Sequence, residues 1–241
     1  MAQNPYIRHY TTLDGLPTNT IYQMCQDSHK FLWFTSDAGV IKFDGSTFTS
    51  YRKKDGLSSN DVVRIKEDKQ GRIWFFNYNA TVNYFYQNKI YNDKNAPFLK
   101  LLVGKGYFLN FYTDTQKNIH FYNYQREVFT LDPNNKVSKN LLLENYKIPN
   151  IRGNEFDSRV CFLSKSPENK WIIWTNAGVY SQDMNNGKVQ ALDTNLMTRF
   201  VVPRQDNSYY AILFRSENSI IRISDKIKKE KENLIMNKAS K

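Results

Sequence analysis

Short runs in which apolar and polar side chains alternate, each closed by Asp, Gly, Asn or Ser, fill most of this chain. That is the pattern of half-buried β-strands joined by tight turns. Four such runs follow one another near the N-terminus: Thr20 to Gln26, Phe31 to Thr35, Val40 to Phe43 and Thr47 to Tyr51. Asp27-Ser28-His29-Lys30 separates the first pair and Asp44-Gly45-Ser46 the last. Asp can hydrogen-bond the backbone of its own turn and Gly can take positive φ, so both segments predict hairpins.

The same order is written again 41 residues later, from Asp14 to Asp55. Asp14-Gly15-Leu16-Pro17-Thr18-Asn19 opens the first unit and Asp55-Gly56-Leu57-Ser58-Ser59-Asn60 the second. Each unit then reaches an aspartate six residues ahead of a tryptophan, Asp27 before Trp33 and Asp68 before Trp74. A weaker third unit sets Asp114 six before His120, which then occupies the tryptophan position. In the fourth, Glu168 stands six before Trp174, and Trp174 through Gly178 to Tyr180 reads as the parallel of Trp33 through Gly39 to Ile41. Phe200 to Ser224 holds a fifth, with a turn at Asp206-Asn207-Ser208. Self-similarity at a spacing near 40 residues with several short strands per unit is the signature of a β-propeller, one repeat to a blade. The expected fold is therefore all-β, a β-propeller of four-stranded antiparallel blades. Residues 1–224 carry about five of them, and residues 225–241 form a charged tail or the run-in to a further blade. Ile7 to Tyr10 reads as an outermost strand whose inner strands lie elsewhere, and five units predict part of a larger, seven-bladed ring rather than a complete small one.

Composition changes this picture little. Aromatic residues make up 15% of the chain, which suits sheets packed face to face. No run approaches the roughly 18 to 20 apolar residues that span a bilayer. The net charge of +11 is scattered along the repeats, with its densest cluster at Lys226, Lys228, Lys229 and Lys231. Without one focused patch it does not predict a nucleic-acid partner. The two cysteines, Cys25 and Cys161, sit in apolar runs and read as small buried hydrophobes. Met1-Ala2-Gln3-Asn4-Pro5 resembles the remnant of a secretory cleavage site behind an initiator Met, with a cytoplasmic start as the alternative.

Candidate chemistry is sparse. His9, His29 and His120 share no metal-ligand spacing with one another or with a cysteine, and neither a nucleophile elbow nor a phosphate-binding Gly-rich loop is present. No metal, cofactor or catalytic residue is expected. Asp14, Gly15, Asp27, Trp33, Gly39, Asp55, Gly56, Asp68, Trp74, Trp174 and Gly178 recur from unit to unit and read as residues that serve the blade. A ligand would meet the loops that enter the innermost strand and those between the second and third strands, which open on one face of a propeller. There the candidates are Thr18, Asn19, Ser36, Asp37, Asn60, Asn77, Tyr78, Asn79 and Asn176, a mixture able to bond hydroxyls and stack on a sugar ring. The competing reading is that loops are polar in any case.

The Asp-Gly-Leu-x-x-Asn opening, the Asp27 and Asp68 turns leading to Leu32-Trp33-Phe34 and Ile73-Trp74-Phe75, and Ala38-Gly39-Val40 with Phe43-Asp44-Gly45 resemble the two-component regulator propeller repeats. Those repeats are found in the extracytoplasmic sensor region of Bacteroidetes-type histidine kinases and hybrid two-component regulators. The resemblance is strong over residues 6–85 and moderate from Phe162 to Tyr180. It implies a non-catalytic, ligand-sensing input module outside the cytoplasmic membrane, with a small molecule or a glycan fragment as ligand. The partners it implies are further blades, a membrane helix and a kinase domain of the same protein, with dimerisation possible. The rival readings are a free propeller serving as a protein-interaction scaffold and a propeller lyase or hydrolase.

Overall fold

The computed structural model describes residues 7–103, 106–144, 146, 159–166, 168–196, 198–203, 209–213, 220–223 and 229–230. Their strands group into five four-stranded sheets, each a simple meander. The first holds β1 (Ile21–Gln26), β2 (Leu32–Ser36), β3 (Gly39–Phe43) and β4 (Phe48–Tyr51); the second holds β5 (Val62–Glu67), β6 (Ile73–Asn77), β7 (Val82–Tyr86) and β8 (Lys89–Tyr91). The third is β9 (Phe108–Thr113), β10 (Ile119–Asn123), β11 (Glu127–Leu131) and β12 (Val137–Leu141). The fourth is β13 (Val160–Lys165), β14 (Lys170–Thr175), β15 (Gly178–Asp183) and β16 (Val189–Asp193), and the fifth β17 (Thr198–Pro203), β18 (Tyr209–Leu213), β19 (Ile220–Ile223) and β20 (Lys229–Glu230). The chain divides into two compact units, one of Met1–Leu109 with Leu131–Val137, the other of Asn110–Thr130 with Ser138–Lys241.

The repeated motifs have local physical causes. Ahead of β1 and β5 the chain makes one 3₁₀ turn, at Thr12–Asp14 and at Lys53–Asp55. The turn's aspartate reaches back to accept the N–H three residues earlier, Asp14 from Thr11 (2.7 Å) and Asp55 from Arg52 (2.9 Å). Gly15 and Gly56 follow at φ 89° and 111°, a left-handed conformation in which a side chain would be strained. Asn60 closes the second copy by accepting the Lys53 N–H at 2.8 Å.

The spacing of six is a single carboxylate with two tasks. Asp27 accepts the Phe31 N–H with Oδ1 (2.9 Å) and the indole N–H of buried Trp33 with Oδ2 (2.8 Å). Asp68 accepts the Gln70 and Arg72 amides with Oδ1, and both Arg72 Nε (2.6 Å) and Trp74 Nε1 (2.8 Å) with Oδ2. In the third sheet Asp114 holds the Gln116 and Asn118 amides, and its Oδ2 lies 3.1 Å from Nε2 of His120. His120 thus does the work of the indole.

The fourth sheet departs from the sequence reading. Its first hairpin starts at Ser166, whose N–H donates to Lys170 O while Asn169 donates back to Ser166 O, as Asp27, Phe31 and Lys30 do in the first. Counting from Ser166, or back from the Thr175–Gly178 pair that matches Ser36–Gly39, the partner of Trp33 is Ile172; Trp174 stands where Thr35 does. Glu168 is an exposed turn residue paired with Lys170, and Trp174 Nε1 is buried with no acceptor. Trp174 is therefore a packing residue at a different position from Trp33 and Trp74.

In the first unit Trp33 and Val40 of one sheet pack on Ile65, Ile73, Phe75 and Phe85 of the next. In the second unit Trp174 and Val179 pack in the same way on Val201 and Ala211. Burying one such side chain contributes about 1.5–3 kcal/mol, so each sheet is held mainly by its neighbour. Ile7 to Tyr10 forms no strand; instead the Tyr10 ring packs edge-on against Phe43 and Phe48. Lys229–Glu230, within the expected tail, supplies the outer strand of the fifth sheet. The turn at Asp206-Asn207-Ser208, the first six residues and the remainder of the tail lie outside the described residues. Both cysteines are unpaired and partly buried, and burial pushes the Cys161 thiol up to about 11.

Candidate functional site

At the end of each of the first four sheets opposite the Asp27-type turn, the second strand closes on a short polar residue and turns into the third. Ser36 donates its hydroxyl to Gly39 O (2.9 Å) and accepts the Ala38 N–H (3.1 Å); Thr175 does the same with Gly178 and Ala177. Asn77 donates to Thr81 Oγ1 (2.8 Å) and Asn83 Oδ1 (2.9 Å), and Asn123 donates to Glu127 Oε2 (2.6 Å). All four side chains are fully buried. Gly39 and Gly178 follow at φ 114° and 131°, close against the carbonyls of Tyr51 and Asp193. Of the residues expected to meet a ligand, Ser36 and Asn77 are thus turned inward. Asn79 accepts from Thr81, and Asn60 is held on Lys53.

One position further on, the blades stop agreeing. Asp37, Tyr78, Tyr124 and Asn176 occupy the same place in four sheets, and they are an exposed acid, a largely exposed phenol, a half-buried phenol and an amide. In the first unit Asp37 accepts the Thr18 hydroxyl at 3.3 Å, and Asn19 is exposed beside it in the sequence. Tyr78 is 66% exposed and stacks on Tyr107 at 6.1 Å. Tyr22 and Asp61, not singled out in the sequence, join this group. The Tyr22 hydroxyl is held above its usual range by desolvation first, then by the charges of Asp61 and Asp37, with Asp61 also accepting its hydrogen bond. Asp61 Oδ1 is shielded from solvent and accepts no hydrogen bond. The available sequence signal for Asp61 was its place in the loop entering β5, at the acceptor-rich end of the Ser58–Asp61 run. In the second unit Asn176 Oδ1 accepts the Arg159 N–H (2.8 Å), and the Arg159 guanidinium lies 5.8 Å from the Tyr124 ring centre.

The chain as a whole is basic, yet the loop face of the first unit presents Asp37 and Asp61 with three phenols. Such a face repels anions and offers carboxylate acceptors beside aromatic planes, a combination suited to hydroxyl-bearing ligands. Among the described residues no group of three or more His, Cys, Asp or Glu side chains could hold a metal ion, and no helix is long and apolar enough to cross a membrane.

Residues 15–38 and 56–79 match the family described as "Two component regulator propeller". No curated protein matches the chain. In fold it is similar to a catalytically inactive variant of virginiamycin B lyase from Staphylococcus aureus, solved with quinupristin, at TM-score 0.63 and 13% identity over 92% of this chain and 73% of that one. It is similar as well to the extracellular domain of a protein assigned to the hybrid two-component systems of B. thetaiotaomicron, at TM-score 0.53 and 17% identity over 94% of this chain. The extracellular domain of a protein assigned to the one-component systems of the same organism matches at TM-score 0.50 and 13% identity over 81% of this chain. The chain spans about a third of the length of these two extracellular domains, 36% and 33%. The chain is thus built of four-stranded β-propeller blades, and the first two of them carry the matched two-component regulator propeller repeats.

Proposed function

We propose that this chain is a non-catalytic, extracytoplasmic input module of a two-component signalling protein, and that the loop face of its first unit binds a neutral, hydroxyl-rich ligand such as an oligosaccharide fragment. The observation that carries the reading is the pair of matched regulator-propeller repeats. Their loop face presents Asp37, Asp61 and Tyr78, whereas Ser36 and Asn77 are turned into their own turns. Stacking on the exposed Tyr78 ring and bonding to the Asp37 and Asp61 carboxylates would each favour a sugar over an anion.

The test is a thermal-shift screen of neutral and acidic oligosaccharides, followed by titration calorimetry of any hit against Tyr78→Ala and Asp61→Asn. A neutral ligand whose affinity falls about tenfold or more in each variant, as expected from about 1.4 kcal/mol or more per contact, supports the reading. A hit that is acidic, or that binds both variants as well as the parent, overturns it. One observation favours an enzyme instead, the fold similarity to virginiamycin B lyase, in which replacing a histidine by alanine gives a catalytically inactive protein. Here His29 lies in the β1–β2 turn at the opposite end of its sheet, and His120 is enclosed with both ring nitrogens engaged.

A further inference from the structure

The outer strands of the first two sheets, β4 and β8, line a groove of about 620 Å³ within the first unit. Residues 49–51 of β4 and Lys89 and Ile90 of β8 contribute to it, together with the 3₁₀ turn at Lys54 and Asp55 and the β7–β8 turn at Asn88. That volume suits a small ligand. The polar side chains around the groove fall into two sets. Asp55 accepts the Arg52 N–H (2.9 Å), and Asn95 accepts the Asn92 N–H (2.8 Å) while donating to Ile90 O (3.0 Å), so both serve the local backbone. Thr49, Ser50, Lys54 and Asn88 are different: among the described residues their side chains make no hydrogen bond or ion pair, and Lys89 has only the Tyr91 ring, 5.4 Å from its ammonium. Elsewhere in this unit such groups are consumed by their own turns, as Asp44, Asn77 and Asn92 are. Here they converge on one concavity. Two ammonium groups against one carboxylate leave it an excess of positive charge, and two hydroxyls and an amide can both donate and accept. The Asp55 charge is felt across the groove, since after burial it is the cause that holds the Tyr51 hydroxyl above its usual range.

We infer that this groove binds a small hydroxy acid, its carboxylate held by Lys54 and Lys89 and its hydroxyl groups by Thr49, Ser50 and Asn88. A lysine ammonium is a compact point charge that meets a carboxylate without requiring the planar fork of an arginine. Asp55 sets the limit on charge, because it repels a second carboxylate on its side of the groove and accepts a hydroxyl there instead. A monocarboxylate bearing several hydroxyls satisfies every one of these groups, whereas a bare anion leaves the hydroxyls and the amide unused and a neutral polyol leaves the two cations uncompensated. The inference goes beyond the loop-face reading and shares no residue with it, and its probe is not an oligosaccharide, so either can fail without the other.

Calorimetric titration of the full chain at constant ionic strength tests it, with galactonate as the probe, galactitol as its neutral counterpart, hexanoate as a carboxylate without hydroxyls and sulfate as a bare anion. Galactonate is expected to bind with a Kd of about 1 mM or tighter, and each of the others at least about tenfold more weakly. Lys54→Met and Lys89→Met should each weaken galactonate about tenfold, while Lys89→Arg, which keeps the charge, restores most of the binding. Asn88→Gly removes the amide yet tolerates the left-handed backbone at φ 57°, and should weaken binding about threefold or more. Lys69→Met removes an exposed lysine that does not line the groove, so it reads the effect of net charge alone and should change nothing. Lys54 and Lys89 are exposed, so melting temperatures should hold; if a methionine variant melts early, glutamine replaces it. Sulfate, hexanoate or galactitol binding as tightly as galactonate overturns the inference, as does the absence of galactonate binding up to about 10 mM. Galactonate binding that the two groove lysines weaken no more than Lys69→Met does overturns the placement, and with it the site.

Discussion

Replacing Asp68 by alanine tests whether the six-residue spacing is a structural device or a composition accident. The carboxylate is 1% exposed and accepts four N–H groups. The Gln70 and Arg72 amides lie in a surface turn and can recover water; the indole of Trp74, at 0% exposure, cannot. Loss of hydrogen bonds to a charged acceptor costs about 1.5–3 kcal/mol, and an orphaned buried donor a further ~1–3 kcal/mol, so a total of about 3–5 kcal/mol is expected. Arg72, whose guanidinium lies 5.1 Å from the Trp74 ring centre, also loses its anchor. Asp44 is the control: it accepts the Ser46 and Thr47 amides at 2.8 and 2.7 Å but is exposed and holds no ring, so Asp44→Ala should cost ~1 kcal/mol or less. Urea unfolding followed by circular dichroism reads both; at a slope of ~2–3 kcal/mol/M the Asp68 variant's midpoint falls by about 1–2 M. Adding Trp74→Phe should cost nothing further in the Asp68→Ala background, because the orphan N–H is gone, while costing about 1 kcal/mol or more in the parent. If the two aspartate variants melt together, or if the tryptophan change costs the same in both backgrounds, the aspartate–indole bond does not hold the blade.

Gly39→Ala would drive a Cβ into the Tyr51 carbonyl at φ 114°, whereas Gly45→Ala, at φ 104°, meets open space. The first should cost well over the ~1 kcal/mol that left-handed strain alone costs the second, measured by the same urea series. Burial, opposed by Asp114 and aided by the charge of Lys165, holds the His120 imidazole below its usual range. The unfolded chain therefore takes up a proton first. Stability is complete above about pH 6.5 and falls as pH drops toward the depressed folded value, by at most ~1.4 kcal/mol per pH unit. Unfolding at pH 7.5 and 5.5 should show this loss, and His120→Trp, which restores the ring of the first two blades, should remove it; an unchanged pH dependence would refute the assignment to His120.

The blade architecture was legible because its determinants are local. Asp27 and Asp68 reach only as far as the ring six residues on, and Gly15 and Gly56 serve the turn in which they sit, so spacing alone carried the reading. The fourth blade misled because an indole is conspicuous and a turn is not. Aligning on Trp174 displaced the register by two residues, which preserves the face of a strand and so leaves the pattern apparently intact. The better anchor was the strand-end pair, Thr175 to Gly178 against Ser36 to Gly39, whose backbone geometry tolerates no slip. Ser36 and Asn77 failed as ligand candidates for a related reason: a short polar side chain at a strand end can face a ligand or bond its own turn, and only burial separates the two.

That separation identifies where the repeat leaves freedom for function. At the strand end, Ser36, Asn77, Asn123 and Thr175 differ in residue type yet perform one task, closing the turn from a buried position. At the next residue the backbone still follows the same path, but Asp37, Tyr78, Tyr124 and Asn176 share neither charge, size nor exposure. A position fixed in space by its neighbours and unconstrained in chemistry is where a repeat can change what it binds without changing how it folds. The acidic and phenolic character of the first unit's loop face is therefore a property the blade did not require. Tyr78→Ala should then leave the unfolding free energy within about 0.5 kcal/mol of the parent while changing ligand affinity tenfold or more, whereas Asn77→Ala should do the reverse. A large loss of stability in Tyr78→Ala would place that ring among the blade's own supports and remove the strongest aromatic candidate from the site.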